Sequence, residues 1–493
     1  MNSIKKLAGH FAIYGVSSII GRLLNYLLVP IHSRIFHPAE YGVVGEMYAY
    51  VSLLYVILMF GMETAFFRFA EREKDLHKVY STTLTSIFTV CALFVILMLS
   101  FSGSIANLLN YPGHSDYIIW FALVIALDAF SSIPFALLRQ QNKAKRFATI
   151  KMLNIGMNVG LNLFFLLLCP WLLKNEILTG IISLIYHPSV GVGYIFIANL
   201  IASLFTIVLL LPDILSFSFK FDYKLFRTMF KYAFPLLIFG LAGIVNETFD
   251  RILIKYLSPK EIASSQVGIY SACYKISIMI TIFIQAFKYA AEPFFFSQAK
   301  YANAQKTYAD VMKYFVIACS FMFLGITLMM DLVKYFVGKE FYEGLKIVPI
   351  LLLANIFLGI FYNLSVWYKL TDKTTYGAYI SIGGAILTLV LNFILIPIIG
   401  YMGAAWTTFI CYLSMMVISF IIGQKHYRIP YEVFKLLFYI LLSVSFYFFS
   451  LWYAQFLHHI ALKLLLNGIL LIIYCSIIWY IERRNIYQLI HLK

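Results

Sequence analysis

Fourteen runs of roughly twenty apolar residues follow one another along the chain, and this succession narrows the possible folds further than any other feature. They lie near 8–33, 42–67, 80–102, 117–138, 148–171, 190–211, 232–256, 267–297, 312–333, 346–368, 375–397, 402–423, 432–455 and 461–481. At about 1.5 Å rise per residue, such a run crosses a hydrocarbon layer of about 30 Å as one α-helix. A helix also pairs its own backbone N–H and C=O groups, which hydrocarbon cannot hydrate. Helices buried in a water-soluble core are shorter and carry a polar face. With 62% hydrophobic and 12% charged residues over 493 positions, the chain reads as an all-α polytopic membrane protein.

Charge supplies an expected orientation. If the amino terminus lies inside, 26 of the 38 Lys and Arg residues fall in the termini and the even-numbered loops, and 8 fall in the outer loops. The other four, Arg22, Arg251, Lys275 and Lys288, lie within spans or near their ends. This bias accounts for most of the net charge of +16, so no nucleic acid is expected as a partner, and both termini are expected in the cytoplasm. The start, MNSIKKLAGHF, leads into an apolar run that has no small-residue cleavage site, so the first helix is expected to be retained.

Six cysteines stand singly in apolar runs without CxxC spacing, and no histidine has ligand spacing with a carboxylate or thiol. Neither a metal nor a cofactor is expected. No GxxxxGK[ST] loop is present for ATP hydrolysis, and no outer loop exceeds about 20 residues, too short for a catalytic domain. Enzyme activity is therefore not expected.

The chain carries a weak internal repeat. A shift of 221 residues matches Asn25 with Asn246, Arg34 with Lys255, Pro38 with Pro259 and Glu40 with Glu261; a shift of 230 matches Lys143 with Lys373 and Asn162 with Asn392. Six helices separate equivalent points, so the repeat is parallel, with an expected axis along the membrane normal. Between the copies, Asp222 is positioned to cap an amphipathic helix bearing Lys224, Arg227 and Lys231.

Four stretches carry a resemblance: FHPAEYGVVGEMYAY (36–50), FGMETAFFRF (60–69), LLRQQNKAKRFA (137–148) and IGYMGAAWTTFI (399–410). In order and spacing they resemble the polysaccharide exporters of the multidrug/oligosaccharidyl-lipid/polysaccharide flippase superfamily, over residues 8–430. The resemblance implies two six-helix lobes in a MATE-like pseudo-two-fold arrangement plus two extra carboxy-terminal helices. The expected division is a first lobe at 1–212, a cytoplasmic linker helix at 213–231, a second lobe at 232–430, and helices thirteen and fourteen with a tail at 431–493. It further implies a flippase for polyprenyl-diphosphate-linked oligosaccharide, serving O-antigen, lipopolysaccharide, capsule or exopolysaccharide assembly in the bacterial inner membrane. Membrane lipids, Na+ or H+ as coupling ion, and a glycan polymerase are the implied partners. In relatives that flip lipid II, two such extra helices form a groove for the lipid tail.

Ionisable groups inside spans cost about 2.5–3.5 kcal/mol each on insertion scales, so each implies a partner, a wet cavity or a function. Ser18, Arg22 and Asn25 share one face of the first helix, which suits a cavity wall; the alternative for Arg22 is a pair with Glu46 or Asp128. Arg22, Lys275, Lys288 and Arg251 are the candidate cavity cations for a diphosphate, with Asn246 as a further polar wall residue. Glu247 and Arg251, at i and i+4, also suit a local ion pair. Asp128, Glu46, Glu63, Glu247 and Asp250 are candidate coupling acids, and Glu292 lies near the inner end of the eighth span. Arg139, Lys143, Lys145 and Arg146 form a cluster that suits either membrane anchoring or cargo entry. An ion-coupled multidrug exporter and a lipid II flippase remain as alternative readings; a membrane glycan polymerase or ligase lacks the outer acceptor domain it would need.

Overall fold

The computed structural model describes residues 23–491 except 25, 74, 217–219 and 458, with backbone alone at 289, 290, 292, 293 and 484–491. The principal helices are α1 (Val29–Ile35), α2 (Pro38–Met59), α3 (Met62–Arg72), α4 (Leu76–Ser100), α5 (Ser115–Gln140), α6 (Ala144–Leu163), α7 (Gly193–Leu215), α8 (Tyr223–Glu247), α9 (Phe249–Leu257), α10 (Lys260–Gln298), α11 (Ala304–Leu328), α12 (Val348–Leu364), α13 (Val366–Leu370), α14 (Thr374–Ile399), α15 (Tyr401–His426), α16 (Val433–Ala454) and α17 (Ile460–His491). No strand occurs among the described residues. Among the described residues thirteen segments are long and apolar enough to cross a membrane, one for each expected span from the second to the fourteenth. Most of the expected first span lies outside the described residues; α1 is its end.

Helix starts follow local chemistry. Pro38 opens α2 where no backbone donor is needed, and Glu40 accepts the His37 N–H at 2.9 Å. Asp75 and Asp222 accept the N–H groups of Lys78 and Leu225 at 3.1 and 2.8 Å, capping α4 and α8. No break separates the Asp222-capped segment from the rest of α8, which runs on past Pro235 to Glu247. Between α2 and α3 the chain turns at Gly61, whose φ of 76° favours glycine; a Cβ there would also lie 2.6 Å from the Ala233 carbonyl oxygen of α8.

The chain divides into two compact units, 1–268 and 269–493, with α10 continuing from the first into the second. In the first, Met62, Phe66, Tyr80, Ile133 and Met229 lie in one buried cluster. Here α10 begins against α2 at a crossing without side chains: a Cβ on Gly268 would overlap the Pro38 carbonyl oxygen, and one on Gly42 that of Ser264. Small residues allow this approach, and van der Waals packing drives helix association where lipid removes the hydrophobic incentive.

In the second unit, α15 packs against α12 and α14, and buried Trp367 stacks on His426 with ring centroids 5.5 Å apart. The last two helices dock on α11. Asn467 of α17 donates to the Leu328 carbonyl at the end of α11 at 2.7 Å, and Lys463 pairs with Asp331 at 2.6 Å. Burial alone would raise the Asp331 carboxyl, but hydrogen bonds from Lys463 and Lys334 outweigh it and hold the carboxyl below the usual range.

The expected repeat has a backbone counterpart. Asn142 and Asp372, 230 positions apart, have φ of 55° and 57°. The next residues, Lys143 and Lys373, each donate an N–H at 2.8 Å to a carbonyl five residues back, those of Leu138 and Tyr368.

Two outcomes follow. Gly268→Val should destabilise the protein in detergent by about 1–3 kcal/mol or more, because backbone cannot yield to the new side chain, whereas Gly243→Ala, with open space around it, should not. Thermal unfolding of both variants checks this. Because the folded Asp331 carboxyl is depressed, its contribution exists above the unfolded value near about 3.9 and disappears as pH falls through the folded value. The wild-type advantage over Asp331→Asn, about 1 kcal/mol at pH 7, should therefore shrink on acidification below about pH 4; an advantage that stays constant in unfolding scans down to pH 3 would contradict the assignment.

Candidate functional site

Glu46 sits two turns into α2, and the tight Gly42 crossing brings the start of α10 beside it. Its carboxylate is fully buried. Tyr111, from the turn before α5, donates its hydroxyl to Glu46 Oε2, and Lys255 Nζ of α9 lies 3.7 Å from the same oxygen. Lys255 also donates to Ser264 Oγ at 2.7 Å, and Tyr50 donates to the Tyr256 hydroxyl at 3.1 Å. One carboxylate, one ammonium and several hydroxyls thus form a buried polar knot, in which Glu46 Oε2 takes the contacts and Oε1 has no hydrogen-bond partner. The partner of Glu46 is Lys255, a residue that the loop charge count places outside the membrane.

Nearer the other end of α2, and beyond it in α3, charges are paired as well. Arg139 Nη1 holds Glu63 Oε1 at 2.9 Å and lies over the Phe67 ring; Arg146 Nη2 holds buried Asp213 at 2.6 Å. Two of the four cations in the expected entry patch are therefore engaged with carboxylates, while Lys143 and Lys145 are exposed. Asp128 accepts from Ser203 Oγ at 2.7 Å. Lys151 lies over the Phe135 ring, and its charge acts on both Asp128 and Glu63.

Arg251 is buried in α9 and pairs with its neighbour Asp250 at 2.9 Å; it reaches the backbone oxygen of Glu247 at 3.2 Å rather than that residue's carboxylate. The pair forms because the chain breaks at Thr248 between α8 and α9, so the continuous i, i+4 register expected for Glu247 and Arg251 does not exist. Glu247 is exposed and Asn246 half-buried.

Lys275 and Lys288 both belong to α10 but do not meet. Thirteen residues separate them by about 20 Å along the axis and about 140° around it. Lys288 lines a cavity with Lys369 of α13, and its Nζ lies 4.7 Å from the Tyr362 ring centroid. Ser18, Arg22, Asn25 and the side chain of Glu292 lie outside the described residues.

A further charge cluster, the largest among the described residues, has little signature in the sequence. Lys313 of α11, 2% exposed, lies 3.3 Å from Asp310, 3.1 Å from Glu432 and 3.3 Å from the fully buried Glu482 of α17. Tyr439 of α16 donates to Glu482 at 2.6 Å, and Lys435 pairs with Glu432. Glu432 stands just outside a span; burial would raise its carboxyl, but bonds from Lys435 and Lys313 hold it below its usual range. The one available signal was the i, i+3 spacing of Asp310 and Lys313. Among the described residues no cluster of His, Cys, Asp and Glu suits a metal.

Long apolar helices whose embedded charges are partnered define a polytopic α-helical membrane protein. The family model described as "Polysaccharide biosynthesis protein" matches residues 7–300, and the chain belongs to that family. A search of curated proteins finds no match. Among solved structures, a lipid II flippase, MurJ, in an inward closed conformation has TM-score 0.66 at 15% identity, covering 94% of this chain and 98% of its own. An inward-facing MATE-family multidrug resistance transporter of the MOP superfamily has TM-score 0.64 at 13% identity, covering 82% and 94%. An outward-facing one has 0.58 at 13%, covering 84% and 94%. The fold is thus that of MOP-superfamily transporters and flippases.

The Glu46 knot makes a direct prediction. Lys255→Met should cost about 3–5 kcal/mol by stranding a buried carboxylate, and adding Glu46→Gln should recover part of that loss. Thermal unfolding in detergent reads the coupling, and strictly additive losses would show that the two groups do not depend on each other.

Proposed function

We propose that this protein flips a polyprenyl-diphosphate-linked oligosaccharide, an O-antigen, capsule or exopolysaccharide repeat unit, across the bacterial cytoplasmic membrane by alternating access. The match to the polysaccharide biosynthesis family over residues 7–300 carries the reading. Two further facts support it. The MurJ structure covers 94% of this chain against 82% for the inward-facing MATE transporter, and α16 and α17 extend the bundle beyond residue 430. The basic residues concentrate in the termini and even-numbered loops, as a cytoplasmic amino terminus requires.

In this reading Arg22, with Ser18 and Asn25 on the same face, meets the diphosphate, because guanidinium donors replace the water that the anion sheds. Lys275 and Lys288, about 20 Å apart along α10, would meet different parts of the cargo, and Asn246 is a further polar contact. Arg251, held by Asp250, keeps a structural role. Lys143 and Lys145 supply the entry charge, since Arg139 and Arg146 already hold carboxylates. Proton or Na+ coupling falls to acids whose partners can exchange, Glu46, Glu63 and Asp128 before Glu247 and Asp250. A lipid II flippase is the second reading, favoured by the long alignment with MurJ.

Expressed in a strain lacking its own repeat-unit flippase, the wild-type chain should restore surface glycan. Arg22→Ala at equal membrane abundance should lower it about tenfold or more, the loss of one charge-assisted contact. Wild-type glycan from Arg22→Ala would remove that residue from the site. Rescue of growth in a strain depleted of lipid II flippase, without glycan restoration, would move the cargo to lipid II.

A further inference from the structure

Lys151 is an embedded lysine whose ammonium closes no ion pair among the described residues. It stands two turns into α6, inside a segment long and apolar enough to cross a membrane, and is half-buried. Its Nζ lies 4.1 Å from the centroid of the Phe135 ring of α5. Among the described residues it makes no hydrogen bond, and the charges that act on it are those of Asp128 and Glu63. An ionisable group in a span costs about 2.5–3.5 kcal/mol on insertion scales, so its place there calls for a physical reason.

The register of α5 supplies the geometry. Asp128, Phe135 and Arg139 fall at i, i+7 and i+11, on one face of the helix. Over Phe135, the Lys151 ammonium is about 10 Å along the axis from the level of Asp128 and about 6 Å from that of Arg139, which holds Glu63. A flexible four-carbon stem lets it lean toward either acid. Each acid is bonded through one oxygen, Oδ1 of Asp128 by Ser203 and Oε1 of Glu63 by Arg139. The second oxygen of each accepts no hydrogen bond from a described residue. On α7, which packs against α6, Asp213 is closed on Arg146. The tyrosines on which Asp128 acts, Tyr48 and Tyr55, are bonded to Asn199 and Ser132.

Two carboxylates against Arg139 and Lys151 make an electrically neutral set. Without the Lys151 charge the set would carry one negative charge and spare carboxylate oxygens, the ligand type that hard cations take. We infer that Lys151 is a tethered cation that occupies the place of a bound monovalent metal ion between Asp128 and Glu63, and so excludes Na+ from these two acids. The inference deepens the proposed function, on which it rests for the idea that these acids serve ion coupling; the charge balance itself stands on the geometry of the first unit alone.

Thermal unfolding of the full-length protein in detergent, in NaCl and in choline chloride at equal ionic strength, tests the exclusion. Lys151→Met keeps an apolar stem over Phe135 and removes the charge. Its gain in unfolding temperature from choline to sodium should exceed that of wild type by about 2 °C or more, because the vacated place takes up Na+. Lys151→Arg should match wild type, and adding Asp128→Asn to Lys151→Met should abolish the extra sodium response. Should Lys151→Met fail to fold in choline, Lys151→Gln carries the same comparison. Equal sodium responses in wild type and the folded charge-removing variant overturn the inference, as does an extra response that survives Asp128→Asn. Surface glycan separates the two readings. If wild type restores glycan and removing the Lys151 charge brings no sodium response, the tethered cation fails and the flippase stands; if wild type restores none but the sodium response appears, the reverse holds.

Discussion

Hydrocarbon solvates neither a bare charge nor an unpaired backbone group, and the structure is arranged around that refusal. The backbone answers with helices throughout. The embedded carboxylates answer by recruiting donors, mostly from other helices: Glu46 from Lys255 and Tyr111, Glu63 from Arg139, Asp213 from Arg146, Glu482 from Lys313 and Tyr439. Each such pair joins segments distant in sequence. Removing one partner is far worse than removing both, so the pairs specify which helices belong side by side more than they add net stability.

This economy shapes what is left for cargo. A cation already closed on a carboxylate is neutral to an approaching anion, so Arg251, Arg139 and Arg146 serve the bundle first. Closed pairs such as these hold neighbouring helices of one unit together.

The second to fourteenth spans were legible because apolar runs of that length have one stable form in lipid, and the helix start at Tyr223 was legible from Asp222 as its cap, whereas the start of α2 at Pro38 lies four residues before the expected span. The repeat was legible at Lys143 and Lys373, where the same left-handed turn recurs. Lys255, Lys151, Lys313 and Lys369 were not: a hydropathy window ends where charge begins, so charge at a helix end reads as loop. Lys313 shows the error best, since it is buried among three carboxylates from α11, α17 and the turn before α16.

Length, hydropathy and the placement of basic residues by themselves determined the all-helical membrane class, the order of the spans and the expectation of embedded charge, because each depends on one segment and its solvent. Partnership was decided only by tertiary structure. Whether a lysine neutralises a carboxylate, crosses a tyrosine ring or lines a cavity depends on which helices meet and in what rotation. Those are set by contacts such as Gly42 against Ser264 and Gly268 against Pro38, between residues more than two hundred positions apart.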